Sequence, residues 1–515
     1  MNAVTARPVD RRSWPTGMAL IVPAVFLLAG IAVFYRSFVP DDLYIYLRFV
    51  DNLLAGAGPS FNPGEPTYGF TSVLWYGILA LGSKLTGELL PAARLLSVAC
   101  SLLALPAMQI FARRLSGSSS LAAGAALLLA LDAWFLRWSA TGMESSFGVL
   151  LLLGGFARHL REVQEDRSRV GSVVLFSLLA LVRPEALALV GLALFEAVLA
   201  ASGARRRQGW VRALQAVAAA ALTLGPWLAY AAWRFGTLLP DTASAKAPGA
   251  FASQASASLI RTTKLTVVNV GLPMLILALA CTVGLAAAWR QRFAWRQRPA
   301  WRRHRLLAAW IVGLPLLYAA AGVTAYSRYL LLWTPLVLGA GLAAGRWLLG
   351  RWGPKGRIAL AGVVLLIAAQ NLWASAWVLG PASQQYSRSL QDVNIGLGRW
   401  LGENSARDAV IAVENIGAIG LYSGRRILDM NGLITPELIP YKKRGQVEQY
   451  LEEHPPDYVI KIAPVEDPWS REGPDLSLEL LDVRRYDKMF ITQEGPLYYS
   501  LYRVVDPPPS RSTSR

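Results

Sequence analysis

Long runs of apolar residues alternate with short polar loops from the N-terminus to about residue 378. Two of these runs, residues 265–288 and 358–378, contain no charged residue. Because about 20 apolar residues cross the hydrocarbon core of a membrane as a helix, the pattern predicts an α-helical polytopic membrane protein. We place about eleven transmembrane helices at residues 17–38, 92–111, 119–138, 143–158, 170–183, 185–203, 212–234, 266–290, 306–325, 329–348 and 357–378.

The first apolar run, residues 18–38, is followed by Pro40 and by the adjacent acids Asp41 and Asp42. A cleaved signal peptide has a shorter apolar core and a small-residue cleavage site, so we interpret this run as a retained membrane anchor. The apolar stretch 73–81 is too short to span the membrane comfortably. We interpret it as a juxtamembrane or re-entrant helix on the outer face.

After about Pro381 the pattern changes, and no apolar run reaches the length of a membrane span. Residues 446–453 are typical of a helix, which Pro455 stops. Short segments rich in β-branched and aromatic residues predict strands at residues 409–413, 458–462 and 497–502. These elements predict a small α/β domain.

The chain therefore divides into a membrane domain and a small domain outside the membrane. The membrane domain comprises residues 1–380 and contains a first outer loop at residues 39–72. The α/β domain comprises residues 381–506, and by the parity of the spans it lies on the outer side of the membrane. The proline-rich tail, residues 507–515, is predicted to be disordered.

Composition and charge agree with this division. The chain is 54% hydrophobic and 16% charged, whereas soluble proteins contain about 25% charged residues. The net charge of +18 comes from basic residues in every second loop, which is typical of cytoplasmic loops. The N-terminus is therefore placed in the cytoplasm, and the polar loops between the basic ones are placed on the outer side of the membrane.

The basic segment at residues 290–305 mixes arginine with tryptophan, as nucleic-acid sites do. It lies between two predicted spans, so we interpret it as a contact with anionic lipid headgroups and expect no nucleic-acid partner. The two cysteines, Cys100 and Cys281, lie in apolar runs. They form neither a disulfide framework nor a CxxC metal motif.

The adjacent acids Asp41 and Asp42 are the strongest chemical signal in the chain, since acids close to lipid are costly and are usually functional. One of them is placed to act as general base toward a sugar hydroxyl. Together they are also suited to bind a divalent metal with a phosphate. A third interpretation is that they cap the following helix, residues 43–54, whose amphipathic spacing predicts a position on the membrane surface.

Four cations are candidates for binding a phosphate on the outer face: Arg48, Arg183, Lys246 and Arg328. Guanidinium groups match phosphate oxygens with a planar fork. The alternatives are a carboxylate contact or solvation for Arg48, an ion pair with Glu144 or Glu185 for Arg183, snorkelling for Arg328 and an exposed charge for Lys246.

The segment 415–420 contains two glycines three residues apart after a predicted strand. A dinucleotide-binding fingerprint needs a third glycine in a GxGxxG pattern. We therefore interpret this segment as a tight turn and reject nucleotide binding there.

The polar residues of the first outer loop also follow a recognisable order. The pattern is Asp41-Asp42-x-Tyr-Ile-Tyr-x-Arg48, Asn52, Gly56-x-Gly58, Phe61-Asn62-Pro63-Gly64-Glu65 and Gly69-x-Thr71-Ser72-x-Leu-Trp75. It resembles the first outer loop of bacterial GT-C glycosyltransferases, and within them the terminal β-(1→2) arabinofuranosyltransferase B family of the mycobacterial wall. Segments 141–144, 183–185, 235–246 and 417–433 also resemble that family.

The resemblance implies a GT-C fold with periplasmic juxtamembrane helices, a polyprenyl-phosphate sugar donor and inversion at the anomeric carbon. It implies that Asp41 or Asp42 is the catalytic base. From their placement on the outer face, we expect Arg48, Arg183, Lys246 and Arg328 to bind the donor phosphate. We expect further residues to contact substrate: Tyr44, Asn62, Glu65, Tyr68, Thr71, Glu144 and Glu185.

The sequence therefore predicts an integral-membrane glycosyltransferase that transfers a sugar, D-arabinofuranose, from a polyprenyl-phosphate donor to a cell-envelope glycan. The sequence identifies no cofactor, and a divalent metal at Asp41 and Asp42 stays open. The alternatives are a flippase for lipid-linked sugar, a GT-C enzyme acting on lipid A or pilin, and a non-catalytic assembly protein. Transporters often contain internal repeats, and this chain has none that is evident.

Overall fold

A computed structural model describes the chain at residues 18–201, 206–240, 276, 279, 282–283, 299–321, 327–469, 473–489, 493 and 495–505. The predicted span 266–290 lies almost entirely outside these residues, and the predicted tail 507–515 lies wholly outside them.

Helices make up the apolar part of the described chain. They are α1 (Met18–Gly30), α2 (Asp41–Leu54), α3 (Val73–Thr86), α4 (Leu89–Ser116), α5 (Ser119–Leu131), α6 (Ala133–Ser139), α7 (Ser145–Gln164), α8 (Val170–Ala180), α9 (Ala186–Ala201), α10 (Arg206–Phe235), α11 (Pro299–Ala320), α12 (Ser327–Leu330), α13 (Thr334–Leu349) and α14 (Gly353–Ala374). A π-helical turn, Ile31–Tyr35, extends α1.

Three of the described helical segments are long and apolar enough to cross a membrane: α4, Arg207–Phe235 and the continuous stretch Gly353–Asn404. The bent pair α5 and α6 adds a fourth if it is taken as one span. The chain is therefore a membrane protein. The larger number of spans that the sequence predicts stays a prediction, since several of the other apolar helices are short.

The predicted span 119–138 is not one straight helix. It bends by 62° between α5 and α6. At the bend, Asp132 has an extended backbone, and its carboxylate accepts a hydrogen bond of 2.7 Å from the main-chain N–H of Phe135. The carboxylate thus caps a new helix, which ends the first one.

Beyond α14 the helix continues into the C-terminal region through two π-helical turns, Ser375–Leu379 and Leu390–Ile395. The α-helical parts are α15 (Gly380–Ser389) and α16 (Gly396–Asn404). One uninterrupted helix therefore connects the apolar part of the chain to the C-terminal sheet.

The first outer loop contains a hairpin formed by β1 (Ser60–Asn62) and β2 (Glu65–Pro66). The C-terminal region contains five strands: β3 (Val410–Val413), β4 (Arg426–Asp429), β5 (Tyr458–Ala463), β6 (Leu478–Tyr486) and β7 (Leu497–Val504). They form one mixed sheet with strand order β4-β3-β5-β7-β6, in which β3 is parallel to β4 and β5, and β7 is antiparallel to β5 and β6. The three predicted strands are confirmed as β3, β5 and β7.

The helices of this region are α17 (Ile416–Ser423), α18 (Ile439–Arg444) and α19 (Val447–Glu453). The predicted helix at 446–453 is confirmed as α19. The predicted tight turn at 415–420 is wrong, because the segment begins α17. Its glycines allow a close approach instead: a Cβ at Gly417 would overlap the main-chain oxygen of Asp41, and one at Gly420 would lie 2.6 Å from Phe61.

Helix α2 does not lie on a membrane surface as predicted. Residues 43–50 are all buried in the protein, where α2 packs against α3 and α17. The first outer loop is therefore held between the apolar helices and the C-terminal sheet, and this arrangement positions the two acids.

Candidate active site

The two adjacent acids at the start of α2 have different partners. The Asp41 carboxylate accepts hydrogen bonds from the main-chain N–H groups of Gly417 and Ala418, at 3.0 and 2.9 Å, and from the Asn394 side chain at 3.2 Å. The two main-chain donors lie in the first turn of α17, where a carboxylate is also favoured by the helix dipole. Asp41 therefore caps a helix of the C-terminal region. The capping interpretation had placed this cap on α2, and for Asp41 it is wrong.

Burial raises the pKa of the Asp41 carboxyl group to about 6, although the Ala418 N–H, the Asn394 amide and the Gly417 N–H lower it. The main-chain N–H of Asp41 donates to the Tyr386 hydroxyl at 2.8 Å. Asp41 thus connects α2 to both α15 and α17.

Asp42 instead forms an ion pair with Arg328, at 2.6 Å between Oδ2 and Nη2. The Asp42 side chain is 48% exposed, and the Arg328 side chain is 11% exposed. The Arg328 guanidinium also lies 5.3 Å from the ring of Tyr329. Two predicted site residues from opposite ends of the helical part are therefore in direct contact.

Arg183 lies between two acids, as the ion-pair interpretation expected. Its Nη1 is 2.9 Å from Glu144 Oε1, and its Nε is 3.2 Å from Glu185 Oε1. Glu185 also accepts a hydrogen bond of 2.8 Å from the Tyr318 hydroxyl. The guanidinium of Arg183 lies 4.5 Å from the ring of Tyr329, so the same ring contacts both arginines.

We call these residues the outer cluster: Asp42, Glu144, Arg183, Glu185, Tyr318, Arg328 and Tyr329. Three buried atoms in it have no hydrogen-bond partner within the described part of the chain. They are Glu144 Oε2, Arg183 Nη2 and Arg328 Nε. Since buried polar atoms are nearly always paired, these three are positions where a ligand or water is expected.

Arg48 lies away from the outer cluster. It is buried and donates to the main-chain oxygens of Phe61, Gly420 and Arg425. These bonds attach α2 to strand β1 of the first outer loop and to helix α17 and the residue before β4 in the C-terminal region. Arg48 is thus surrounded by main-chain acceptors, and a phosphate contact for it stays only a sequence prediction.

Asn62 and Glu65 connect the β1–β2 hairpin to the edge of strand β4. Asn62 donates to the main-chain oxygen of Ile427 and accepts from its N–H, each at 2.9 Å. Glu65 forms an ion pair of 2.7 Å with Arg426. Both residues have a structural role, and their predicted contact with substrate stays untested.

The remaining predicted substrate residues lie on the buried side of the loop. Tyr44 packs against Tyr422, and Thr71 lies 3.4 Å from the Tyr46 hydroxyl. The Tyr68 hydroxyl accepts a hydrogen bond of 2.7 Å from the indole of Trp227. Lys246 lies outside the described residues.

Several residues near the acids were not chosen from the sequence. Tyr318 and Tyr329 are in the outer cluster, and Arg137 lies buried with its guanidinium 4.0 Å from the ring of Phe38. A charge inside a predicted span, such as Arg137, is a signal that could have been used. No sequence signal marks Asn394, which reaches Asp41 from a π-helical turn.

The acid pair does not fit a metal held by both carboxylates. Asp41 is occupied by three N–H donors, and a guanidinium stands against Asp42. Within the described residues no group of three or more metal-binding side chains is found.

Comparisons with known proteins agree with the resemblance in the first loop. A protein named terminal β-(1→2)-arabinofuranosyltransferase from Mycobacterium tuberculosis is 32% identical over 244 residues, which cover 44% of this chain and 38% of that protein. A protein of the same name from Corynebacterium glutamicum is 45% identical over 64 residues, 12% of this chain and 9% of that protein. The match thus spans well under half of each relative. Residues 376–505 match a family described as "Domain of unknown function (DUF8728)".

Solved structures share the fold over most of the chain. ArnT from Cupriavidus metallidurans bound to undecaprenyl phosphate has a TM-score of 0.56 at 13% identity, covering 94% of this chain and 97% of ArnT. The oligosaccharyltransferase AglB from Archaeoglobus fulgidus, in complex with an inhibitory peptide and a dolichol-phosphate, has a TM-score of 0.55 at 13% identity. That match covers 87% of this chain and 70% of AglB.

This chain has the fold of GT-C membrane glycosyltransferases. The predicted resemblance is confirmed, in fold by ArnT and AglB and in sequence by the arabinofuranosyltransferase relatives.

Proposed function

We propose that the protein is an inverting glycosyltransferase that transfers arabinofuranose from a polyprenyl-phosphate donor to a glycan of the cell envelope. The observation that carries this proposal is the contact between Asp42 and Arg328 at 2.6 Å. It joins a half-exposed carboxylate to a buried guanidinium in a chain related to named arabinofuranosyltransferases. A base and a phosphate-binding cation are the two groups that this reaction needs.

Asp42 is the better of the two candidate bases. Its side chain is half exposed, whereas the Asp41 carboxylate already accepts three hydrogen bonds that hold α17. In the proposed step Asp42 takes the proton of the acceptor hydroxyl, whose oxygen attacks the anomeric carbon. The bond from that carbon to the phosphate oxygen breaks, and polyprenyl phosphate leaves with its electron pair.

Arg328 and Arg183 are proposed to stabilise the negative charge on the departing phosphate. Each has a buried guanidinium nitrogen without a hydrogen-bond partner among the described residues. Fixed cations aimed at developing charge are among the most effective catalytic devices. Lys246 is proposed as a third cation on sequence grounds alone.

An apolar groove supports a lipid-linked donor. Its volume is about 540 Å³, and it lies between α9 and α11, starting one turn from Glu185 and reaching Trp310. Gly191 and Gly313 are among the residues that line it, and the lining is almost wholly apolar. We assign the isoprenoid chain of the donor to this groove, because the groove begins where Glu185 meets Tyr318.

The outer cluster and the C-terminal sheet are proposed to lie on the extracytoplasmic side of the bacterial inner membrane. The basic loops then face the cytoplasm, in agreement with the positive-inside rule. On this proposal the C-terminal region, residues 381–506, is a periplasmic domain that helps to bind the acceptor glycan.

The proposal is tested by sugar transfer from a synthetic polyprenyl-phosphoarabinose in detergent, with an arabinan fragment as acceptor. We expect transfer by the wild type and a loss of about 10²- to 10⁴-fold in Asp42→Asn. Asp51→Asn on the exposed face of α2 removes the same charge and is the matched control, expected to keep full activity. Full activity in Asp42→Asn removes the proposed base, and movement of the donor across a membrane without cleavage favours a flippase.

The groove is tested with donors that carry long or short isoprenoid chains. A Cβ at Gly191 or Gly313 would meet no atom within 4 Å, so the double variant Gly191→Leu/Gly313→Leu fills the groove without a backbone clash. We expect at least a tenfold higher KM for the long-chain donor and an unchanged KM for the short-chain donor. Gly362→Leu on α14, which also has open space, is the control. Equal changes in KM for both donors would show that the groove does not bind the isoprenoid chain.

A further inference from the structure

A second cavity lies between two segments of the chain. One is the π-helical turn that extends α1, and the other is α15 with the π-helical turn that follows it. Its volume is about 610 Å³. Val33 and Phe34 form an apolar wall, and Gln384, Arg388 and Gln391 form a polar wall. Tyr386 of α15, whose hydroxyl accepts from the Asp41 N–H, does not line the cavity. No residue of the outer cluster lines the cavity either, so the two sites are separate.

The surrounding side chains place this cavity at the depth of lipid headgroups. Trp377 is 73% exposed at the end of the apolar part of the long helix, and exposed tryptophans are enriched at membrane surfaces. Gln384 follows seven residues later, or about 10 Å along a helix. On the other wall Val33 is 64% exposed, as a lipid-facing residue is. The cavity therefore spans the boundary between apolar and polar surroundings.

Two cations in the cavity lack partners. Arg36 and Arg388 both line it and are exposed, and among the residues that the structure describes no side-chain ion pair or hydrogen bond engages either guanidinium. Asp392 lies one helical turn after Arg388, yet no ion pair joins them in the described chain. Guanidinium groups bind phosphate oxygens with a planar fork.

The polar wall adds groups that recognise hydroxyls. Gln384, Arg388 and Gln391 are spaced four and three residues apart, which places them on one face of the helix. The two amides and the Asp392 carboxylate are suited to hydrogen-bond a polyol, since an amide both donates and accepts and a carboxylate accepts. A phosphate with a hydroxylated substituent matches this set better than a bare phosphate, which Asp392 would repel.

We propose that this cavity binds the headgroup of an anionic phospholipid that carries a polyol, such as phosphatidylglycerol. Arg36 and Arg388 hold the phosphate, the glutamine amides and Asp392 hold the hydroxyls, and an acyl chain lies against Val33 and Phe34. This site is distinct from the donor site of the proposed reaction. The bound lipid joins α1 to α15, the helix that also contacts Asp41.

The test is native mass spectrometry of the full chain in detergent, titrated with phosphatidylglycerol or with phosphatidylcholine of the same acyl chains. We expect the wild type to retain one phosphatidylglycerol that Arg36→Gln/Arg388→Gln binds at least tenfold more weakly, and to show no such preference for phosphatidylcholine. The control Arg407→Gln/Lys443→Gln removes the same charge from exposed positions away from the cavity and is expected to bind as the wild type does.

Two further arms keep the outcome interpretable. Arg36→Lys/Arg388→Lys keeps the charge, and it is expected to fold as the wild type does and to keep part of the affinity. Soluble glycerol phosphate, added as competitor, is expected not to displace the lipid at millimolar concentration, because it lacks the acyl chain. Equal retention of phosphatidylglycerol by wild type and glutamine variant overturns the proposal, as does arginine-dependent binding of a soluble arabinan fragment in place of the lipid. Sugar transfer is measured separately, so failure here leaves the proposed function standing.

Discussion

The two ends of helix α7 carry buried charges of different kinds. At one end, Glu144 belongs to the outer cluster and pairs with Arg183. At the other end, about 22 Å away along the helix axis, His159 lies 3.2 Å from Glu196, which also pairs with Arg305 at 3.2 Å. We call His159, Glu196 and Arg305 the inner cluster.

The clusters differ in what reaches solvent. In the inner cluster the side chains of His159 and Glu196 are 1% and 7% exposed, so no substrate reaches the acid. The outer cluster instead ends in Asp42, whose side chain is half exposed. Buried ion pairs by themselves are therefore weak evidence of function, because both ends have them. What distinguishes the outer cluster is an accessible carboxylate beside a guanidinium.

After Asp42→Asn, the largest effect on transfer rate within this comparison is expected from Arg328. In Arg328→Gln the phosphate loses a fixed cation and Asp42 loses the charge that favours its ionised form, so we expect a fall of about 10²- to 10³-fold in kcat. Arg328→Lys keeps a point charge but not the fork, and it is expected to lie between wild type and Arg328→Gln. The assay is transfer from polyprenyl-phosphoarabinose.

If Arg328→Gln keeps the wild-type kcat, the outer cluster has no catalytic role and the contrast with the inner cluster disappears. The matched control is Arg212→Gln, which breaks a surface ion pair with Asp166 and should leave the rate unchanged.

The sequence located most of the described apolar helices, because apolar runs of span length are a direct consequence of membrane burial, but it missed the bend between α5 and α6. It also predicted that Asp42, Arg183 and Arg328 lie on the same side of the helices, because the parity of the spans assigns each loop to a side. The three residues belong to one cluster in the structure. It could not predict that Asp41 and Asp42 would separate. Their partners come from residues hundreds of positions away, Gly417 for one and Arg328 for the other.

Other errors have local physical causes. The sequence pattern did not predict strand β4. This strand comprises only Arg426–Asp429 and lies at the edge of the sheet, so it shows little of the alternation that predicts strands. The two glycines of α17 favoured a turn over a helix, because glycine has low helix propensity. Glycine is needed at these positions because Asp41 lies against Gly417 and Phe61 lies against Gly420. Such tertiary contacts cannot be read from the sequence pattern.

A smaller effect on rate is expected from the contact between the first loop and the C-terminal region. In Gly417→Ala the new Cβ would overlap the main chain of Asp41, and overpacking of this kind costs about 1–3 kcal/mol. We expect a lower melting temperature and a several-fold lower kcat, because Asp42 moves with Asp41. Gly362→Ala, which meets open space on α14, is the control. An unchanged melting temperature would show that the two regions are not packed as described.

The smallest effect on rate is expected at the inner cluster. Glu196→Gln removes the charge that pairs with His159 and Arg305 but keeps a hydrogen-bonding group of the same shape. We expect the free energy of unfolding to fall by about 1–3 kcal/mol, the usual range for a disrupted buried polar contact. Transfer per folded molecule, measured after active protein is counted, should stay within about twofold of wild type, since catalytic effects come from groups at the reacting atoms. If Glu196→Gln lowered the rate as much as Asp42→Asn, the charge at the inner cluster would affect catalysis at the outer cluster. Accessibility would then no longer distinguish the catalytic end of the helix from the structural one.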